Sequence, residues 1–268
     1  MHVRIHHSTV YRYDPPAAGA IQLLRLTPRD FDGQHVVRWR IEVSADARLT
    51  PHEDAFGNVT HVFSAVGPLA ELHVDVDGEI ETQNTHGVIS GAVERFPPRL
   101  FLRATPLTAA DDAIRDFAER ARGRCDGDAL AQAHALLEGL HREVTFDVAM
   151  TEVVLSASEA FALKRGVCRD LCHIFLAAAH HLDIPARYIA GYLRMADGRI
   201  EQEAGHAWAE AFIRDIGWVG FDPANGLCPT EAYVRVAVGL DSIGAAPVRG
   251  VRFGTGSENL QVAIKVGQ

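Results

Sequence analysis

The sequence predicts an α+β protein, with a mostly β region over residues 1–100 and, over residues 101–268, helices followed by an antiparallel sheet. Three observations carry this prediction. Through about residue 95, apolar and polar residues alternate at period two. Across Pro97-Pro98 the apolar spacing changes to offsets of three and four, and after Pro185 it returns to two.

In the first region Val3, Ile5, His7, Thr9 and Tyr11 alternate with mostly polar neighbours. So do His35 to Val43, Asn58 to Phe63 and Leu72 to Val76. Turn signals at Asp14-Pro15-Pro16, Asp32-Gly33, Phe56-Gly57-Asn58 and Asp77-Gly78 divide these runs into short strands of an antiparallel sheet or sandwich. Glu94 to Thr108 reads as a linker. Thr108 caps the first expected helix, whose buried face is Ile114, Phe117, Ala118 and Ala121. Gly123 to Gly127 interrupts, and Leu130, Ala133, Leu136, Leu137 and Leu140 mark a second helix. Val144 to Asp147 is short and extended, and Ser156 or Ser158 caps a third helix. Gly166 and Pro185 then bracket a helix beginning at or just before Cys168, with Leu171, Cys172, Phe175, Leu176, Ala179 and Leu182 on one stripe. Arg187 to Leu193, His206 to Ile213, Trp218 to Phe221, Tyr233 to Val236 and Leu260 to Ile264 are the strands that follow.

Composition narrows the function classes. The 268 residues suffice for two domains, and 47% hydrophobic with 23% charged residues is a soluble globular balance. A net charge of −9 offers no basic patch for phosphates, so no nucleic-acid partner is expected. Met1 to His7 lacks the apolar core of a signal peptide, and no run of eighteen apolar residues exists, so no membrane partner is expected either. The four cysteines, Cys125, Cys168, Cys172 and Cys228, do not form a disulfide framework. A reducing cytoplasm is therefore the expected location. Eight histidines scatter through the first region without metal-ligand spacing, and no metal or cofactor is expected.

The chemistry centres on Gly166-Val167-Cys168-Arg169-Asp170. A cysteine at a helix N-terminus lies beside unpaired N–H groups and the positive end of the helix dipole, which favour the nucleophilic thiolate. Such a nucleophile needs a base and a group to orient that base. His206 opens one strand of a hairpin and Asp222 closes the other. A turn centred on Arg214 places them directly opposite, and one centred between Asp215 and Ile216 offsets them by three residues. Asp222 on one ring nitrogen would leave the other facing Cys168.

Gly166-Val167-Cys168-Arg169-Asp170, Asp183-Ile184-Pro185-Ala186-Arg187-Tyr188, Gly191-Tyr192, His206-Ala207-Trp208-Ala209-Glu210 and Gly217 to Pro223 together resemble the transglutaminase-like superfamily. Tyr11-Arg12-Tyr13, Leu24 to Pro28 and Asp54-Ala55-Phe56-Gly57-Asn58 resemble the N-terminal β domain of its bacterial branch, described as transglutaminase-like enzymes or cysteine proteases. The resemblance implies a papain-like core with Cys168 as nucleophile, His206 as base and Asp222 as orienting carboxylate. The chain departs from the animal enzymes at Val167 and Arg169, where they carry glutamine and tryptophan. It departs from its own branch at Cys172 and over Gly239 to Gly244.

The remaining residues have plainer readings. Cys172 belongs to packed core, and His173 falls on another helix face. Arg169 either favours the thiolate and an anionic substrate or points to solvent. Trp208 walls the cleft or packs in the core, and Trp218 and Phe221 pack between sheet and helix. Asp170 and Glu210 read as surface or salt-bridging groups. The backbone N–H of Cys168 is an oxyanion donor, with no glutamine before it to supply a second. The expectation is a thiol enzyme that cleaves or transfers acyl groups of amide or peptide bonds through a Cys168 thioester, chiefly by hydrolysis. Its partner would be a peptide, protein or small amide. An amine acyltransferase drawing on a thioester donor and a non-catalytic binding module with a vestigial triad are the alternatives.

Overall fold

Period-two alternation in the first hundred residues builds a few very long strands. The computed structural model describes residues 1–125, 127–151 and 154–268. Strand β1 (His2–Thr27) pairs antiparallel with β4 (Val59–Thr82), and β4 is flanked by β2 (Gln34–Val43) and β3 (Thr50–Glu53). Two expected turns do not reverse the chain. At Asp14-Pro15-Pro16 the ladder skips register between Arg12 and Ala17, so an irregularity absorbs the prolines while the strand continues. Gly78 lies mid-strand opposite Trp39, and a Cβ there would sit 2.1 Å from the Trp39 ring. The missing side chain makes room for an indole; it does not make a bend.

A two-residue strand, β5 (Val88–Ile89), leads towards the helices α1 (Asp112–Arg122) and α2 (Ala129–Glu143). Between them, Asp126 lies outside the described residues. Asp111, not Thr108, caps α1: its Oδ1 accepts from the Ile114 N–H at 2.9 Å, while Thr108 is buried in a turn bonded to Thr105. Strands β6 (Thr145–Phe146) and β7 (Arg165–Gly166) pair in parallel and enclose α3 (Ala157–Leu163), whose Ser156 and Glu159 form a capping box. Helix α4 (Cys168–His181) follows at once and is buried from Asp170 to Ala179. The Asp170 carboxylate accepts from the Val167 N–H at 3.0 Å and fixes where the helix starts.

The second sheet comprises β8 (Ala186–Leu193), β10 (His206–Ile213), β11 (Gly217–Phe221) and β12 (Tyr233–Gly239), in the order β12-β8-β10-β11-β5. The short β9 (Glu201–Gln202) pairs elsewhere. The chain then returns to the first sheet, where β13 (Val248–Phe253) and β14 (Ser257–Gly267) pair with β1, and β9 pairs with β14. Sheet membership therefore does not follow a division into 1–100 and 101–268. Strand β1 offers one edge to β4, and its other edge is completed from the C-terminus. The cores merge as well, since Val3, Ile5, Ile80, Ile264 and Val266 share one cluster with α4.

Edge strand β12 is closed by side chains rather than by another strand. Gln34 Nε2 donates to the Arg235 carbonyl at 2.9 Å and its Oε1 accepts from the Arg235 N–H at 2.8 Å. Asn58 makes the same pair with Val238, both at 2.8 Å. Both amides are buried and act as surrogate strand residues. Asp54 presents Asn58 by accepting from its amide and from the N–H groups of Phe56 and Asn58, and Arg25 holds Asp54 in turn. That is the physical content of the Asp54-Ala55-Phe56-Gly57-Asn58 block.

Strand β10 separates two environments. Ala207, Ala209 and Ala211 share the main core with α4, and Trp208 lies in a second cluster with Trp218 and Tyr233. Trp218 and Phe221 consequently divide: Phe221 stacks on Phe175 of α4 at 5.3 Å, whereas Trp218 lies on the opposite face beneath Arg187 at 3.8 Å. Glu210 is fully buried between Arg187 and Arg235, both at 2.7 Å, and Arg187 also grips Glu94 at 2.7 and 2.9 Å. Burial opposes the Glu210 charge, but Arg235 and Arg187 outweigh it and hold its carboxyl below the usual range. Asp170 is likewise buried, on Arg169, so neither acid is a surface group.

The alanine face admits α4 because its side chains are small. Ala209→Leu is expected to overpack this layer and lower stability by about 1–3 kcal/mol. Urea unfolding checks this, and an unchanged midpoint would mean that the helix does not bear on Ala209.

Candidate active site

The hairpin register decides whether His206 and Asp222 can meet. Ile213 pairs with Gly217 and Ala209 with Phe221, so Arg214, Asp215 and Ile216 form a three-residue turn with Asp215 at φ 68°. The centre is Asp215, between the two registers expected from the sequence. Asp222 thus falls two residues from His206, and an even offset leaves both side chains on one face. His206 Nε2 donates to Asp222 Oδ2 at 2.7 Å. The other ring nitrogen is left for the nucleophile, and the Cys168 thiol is close enough to His206 to help hold its charge. The three residues singled out from the sequence are brought together from the first turn of α4, the first residue of β10 and the end of β11.

Asp222 is completely buried, yet it is richly supplied with donors. Its Oδ1 accepts from the N–H groups of Ala224 and Asn225 at 3.0 and 3.3 Å. Its Oδ2 accepts from His206, from the Tyr233 hydroxyl at 2.6 Å and from Asn225 Nδ2 at 2.7 Å. Burial alone would raise its pKa, but His206 and these hydrogen bonds prevail and lower it. His206 is held by the same balance with the opposite sign. Burial works against the imidazolium, but the Asp222 charge and hydrogen bond, with the contact to Cys168, raise its pKa to about 10.

The surrounding side chains fix the imidazole plane. Trp208 is buried and stacks on His206 at 6.2 Å, while Tyr233 meets Trp208 edge-on at 5.3 Å, so Trp208 is both core and wall. Gly191 pairs with His206 across β8 and β10, and a Cβ at Gly191 would lie 2.1 Å from the Val234 carbonyl oxygen and 2.8 Å from the Trp208 ring. The absent side chain lets that indole lie under the histidine.

Cys172 is core, with its thiol pushed well up by burial. His173 accepts from the Ser242 N–H at Nε2 and is driven by burial to a pKa of about 4, so it stays neutral and ties the loop after β12 to α4. Arg169 neither faces open solvent nor stands alone, since its Nε bonds Asp170 at 2.9 Å. Among the described residues, no group of three or more His, Cys, Asp or Glu is arranged to hold a metal, and no helix is long and apolar enough to cross a membrane.

Tyr233 and Asn225 also belong to the site, and neither is singled out by the sequence. Asn225-Gly226 carried a turn signal and Tyr233 opened an expected strand. The spatial strand order, with β12 beside β8, was not readable from spacing.

Residues 3–81 match the family described as the bacterial transglutaminase-like N-terminal region, and residues 115–223 match the transglutaminase-like superfamily core. The chain belongs to the transglutaminase-like superfamily. This transglutaminase-like chain is 28% identical to ML0607, an uncharacterized protein of Mycobacterium leprae, over 98% of both chains. It is also 24% identical to an uncharacterized protein of Haemophilus influenzae over 54% of this chain and 48% of that protein. Its fold matches that of a Cytophaga hutchinsonii protein described as a "Putative Cysteine Protease", with TM-score 0.76 at 20% identity, covering 98% of this chain and 90% of the other.

Cys168 is half-buried and touches His206, whereas burial raises the thiols of Cys172 and Cys228. Near neutral pH, one equivalent of iodoacetamide is expected to react fast and to map to Cys168, and His206→Ala should slow it strongly. The histidine's part should vanish as pH rises through about 10, and again as pH falls through the depressed range of Asp222. Stability carries the same signs. The His206 contribution is complete below its ordinary 6.5 and is lost through about 10, while that of Asp222 is present above its ordinary 3.8 and is lost towards acid. Cys172 or Cys228 reacting first would contradict the assignment.

Proposed function

We propose that this chain is a thiol enzyme that cleaves or transfers the acyl group of an amide or peptide bond through a Cys168 thioester, with hydrolysis as the reaction in water. The observation that carries the reading is the 2.7 Å hydrogen bond from His206 to a buried Asp222, with the Cys168 thiol beside the imidazole at the start of its helix. The ionised Cys168 sulfur attacks the carbonyl carbon, and the carbonyl oxygen takes the electron pair. The N–H of Cys168, first in its helix, has no intrahelical acceptor and is positioned to meet that oxyanion. As the tetrahedral adduct collapses, the C–N bond breaks and the His206 imidazolium gives its proton to the departing amine. Neutral His206 then takes a proton from water, hydroxide attacks the thioester, and the carboxylic acid leaves as the thiolate returns. An amine in place of water at the second step would give transfer. Asp222 keeps one ring nitrogen occupied and supports the imidazolium throughout.

Peptides, proteins and small amides are the substrates this chemistry suits. Four free cysteines support residence in a reducing compartment such as the cytoplasm.

A panel of peptide and amide electrophiles read by intact mass tests the proposal. One adduct per chain on Cys168 is expected, lost in Cys168→Ala. With a substrate found from the preferred probe, Asp222→Ala should cut turnover by roughly 10²–10⁴-fold while still accepting label. A folded protein whose Cys168 takes up no probe would overturn the enzymatic reading and favour a binding module.

A further inference from the structure

We propose that Tyr233 is a positioning residue for the triad: its hydroxyl fixes Asp222 against His206 and shares the carboxylate charge, so that strand β12 sets how strongly His206 is held as a cation. The inference rests on the catalytic reading above and adds a residue outside the matched family core, which ends at residue 223.

Three geometric facts carry it. The Tyr233 hydroxyl donates to Asp222 Oδ2 at 2.6 Å, on the same oxygen that His206 uses at 2.7 Å. The Tyr233 ring also touches the imidazole directly, at 5.8 Å between centroids, and meets Trp208 at 5.3 Å. Its strand is held in place by hydrogen bonds from Gln34 and Asn58, which close the edge of β12 at Arg235 and Val238. The phenol remains a donor because burial first, then Asp222, raises its pKa far above the physiological range.

The direction of the effect follows from charge sharing. A carboxylate oxygen that accepts from tyrosine, asparagine and imidazolium gives each a part of its charge. Removing the phenol donor concentrates the charge on the remaining partners, and His206 should be held as a cation to higher pH. Other titratable groups near this set are Cys168 and Cys172 on α4 and Cys228 after β11. The effect must therefore be read against a variant lacking Asp222.

The experiment is the pH profile of Cys168 alkylation by iodoacetamide in the wild type, Tyr233→Phe, Asp222→Ala and the double variant, with circular dichroism as a folding control. Tyr233→Phe should move the alkaline limb up by about half a unit or more. The same substitution should move nothing when Asp222 is already alanine. An unmoved limb in Tyr233→Phe, or an equal shift in both backgrounds, would overturn the inference. If Tyr233→Phe does not fold, proton NMR of the wild type decides. The Tyr233 hydroxyl proton should appear downfield, exchange slowly and disappear in Asp222→Ala; its absence from the wild type would overturn the proposal. Failure of the catalytic reading looks different, because another cysteine, or none, would then be alkylated.

Discussion

The structure depends on keeping one carboxylate charged where no water reaches it. Asp222 has no exposed surface, and an unpaired ionised group in such a place costs several kcal/mol. A hydrogen bond from or to a charged group returns about 1.5–3 kcal/mol. One donor does not balance the loss, and five are present: His206, Tyr233, the Asn225 amide and the N–H groups of Ala224 and Asn225. They come from the start of β10, the start of β12 and the turn between 222 and 227. That constraint ties two strands and a turn to one oxygen pair, and it leaves His206 oriented with its free nitrogen towards the thiol.

The rest of the fold can be understood as what keeps those elements in register. Strand β10 carries a second buried acid, Glu210, four residues beyond His206 and neutralised by Arg187 and Arg235. Arg187 extends the network to Glu94, so the segment leading out of the first sheet is joined to the histidine strand. The first sheet acts mainly through β12 and β8. Gln34 and Asn58 complete the β12 edge, the Thr82 hydroxyl donates to the Glu231 carbonyl just before it, and His7 bonds the Tyr192 hydroxyl at 2.9 Å. An isolated second sheet would leave those backbone groups without these partners, so the first sheet completes the edge of the second.

Much of this was legible in the residues. The stripe from Leu171 to Ala179 and the bracketing Gly166 and Pro185 predict α4 and its start at Cys168, because helical period and chain breakers are local properties. The Cys168, His206 and Asp222 constellation was legible through its resemblance to a family. The long strands were not. Asp14-Pro15-Pro16 and Asp77-Gly78 carry turn chemistry, but the first is absorbed by a register irregularity and the second accommodates Trp39, and both depend on neighbours distant in sequence. Two-residue offset in the β10–β11 hairpin comes from the left-handed Asp215, which spacing alone does not reveal. Tyr233 was hidden for the same reason, since its role requires the strand order β12-β8-β10.

The central claim is that buried Asp222 holds His206 as a cation beside Cys168. Nitrogen-15 NMR of the His206 ring at pH 8, in the wild type and in Asp222→Asn, measures this directly. The account predicts a doubly protonated imidazole in the wild type, consistent with a pKa of about 10, and a neutral one once the carboxylate is replaced by an amide. A neutral His206 in the wild-type protein at pH 8, or an imidazolium that survives Asp222→Asn, would contradict it.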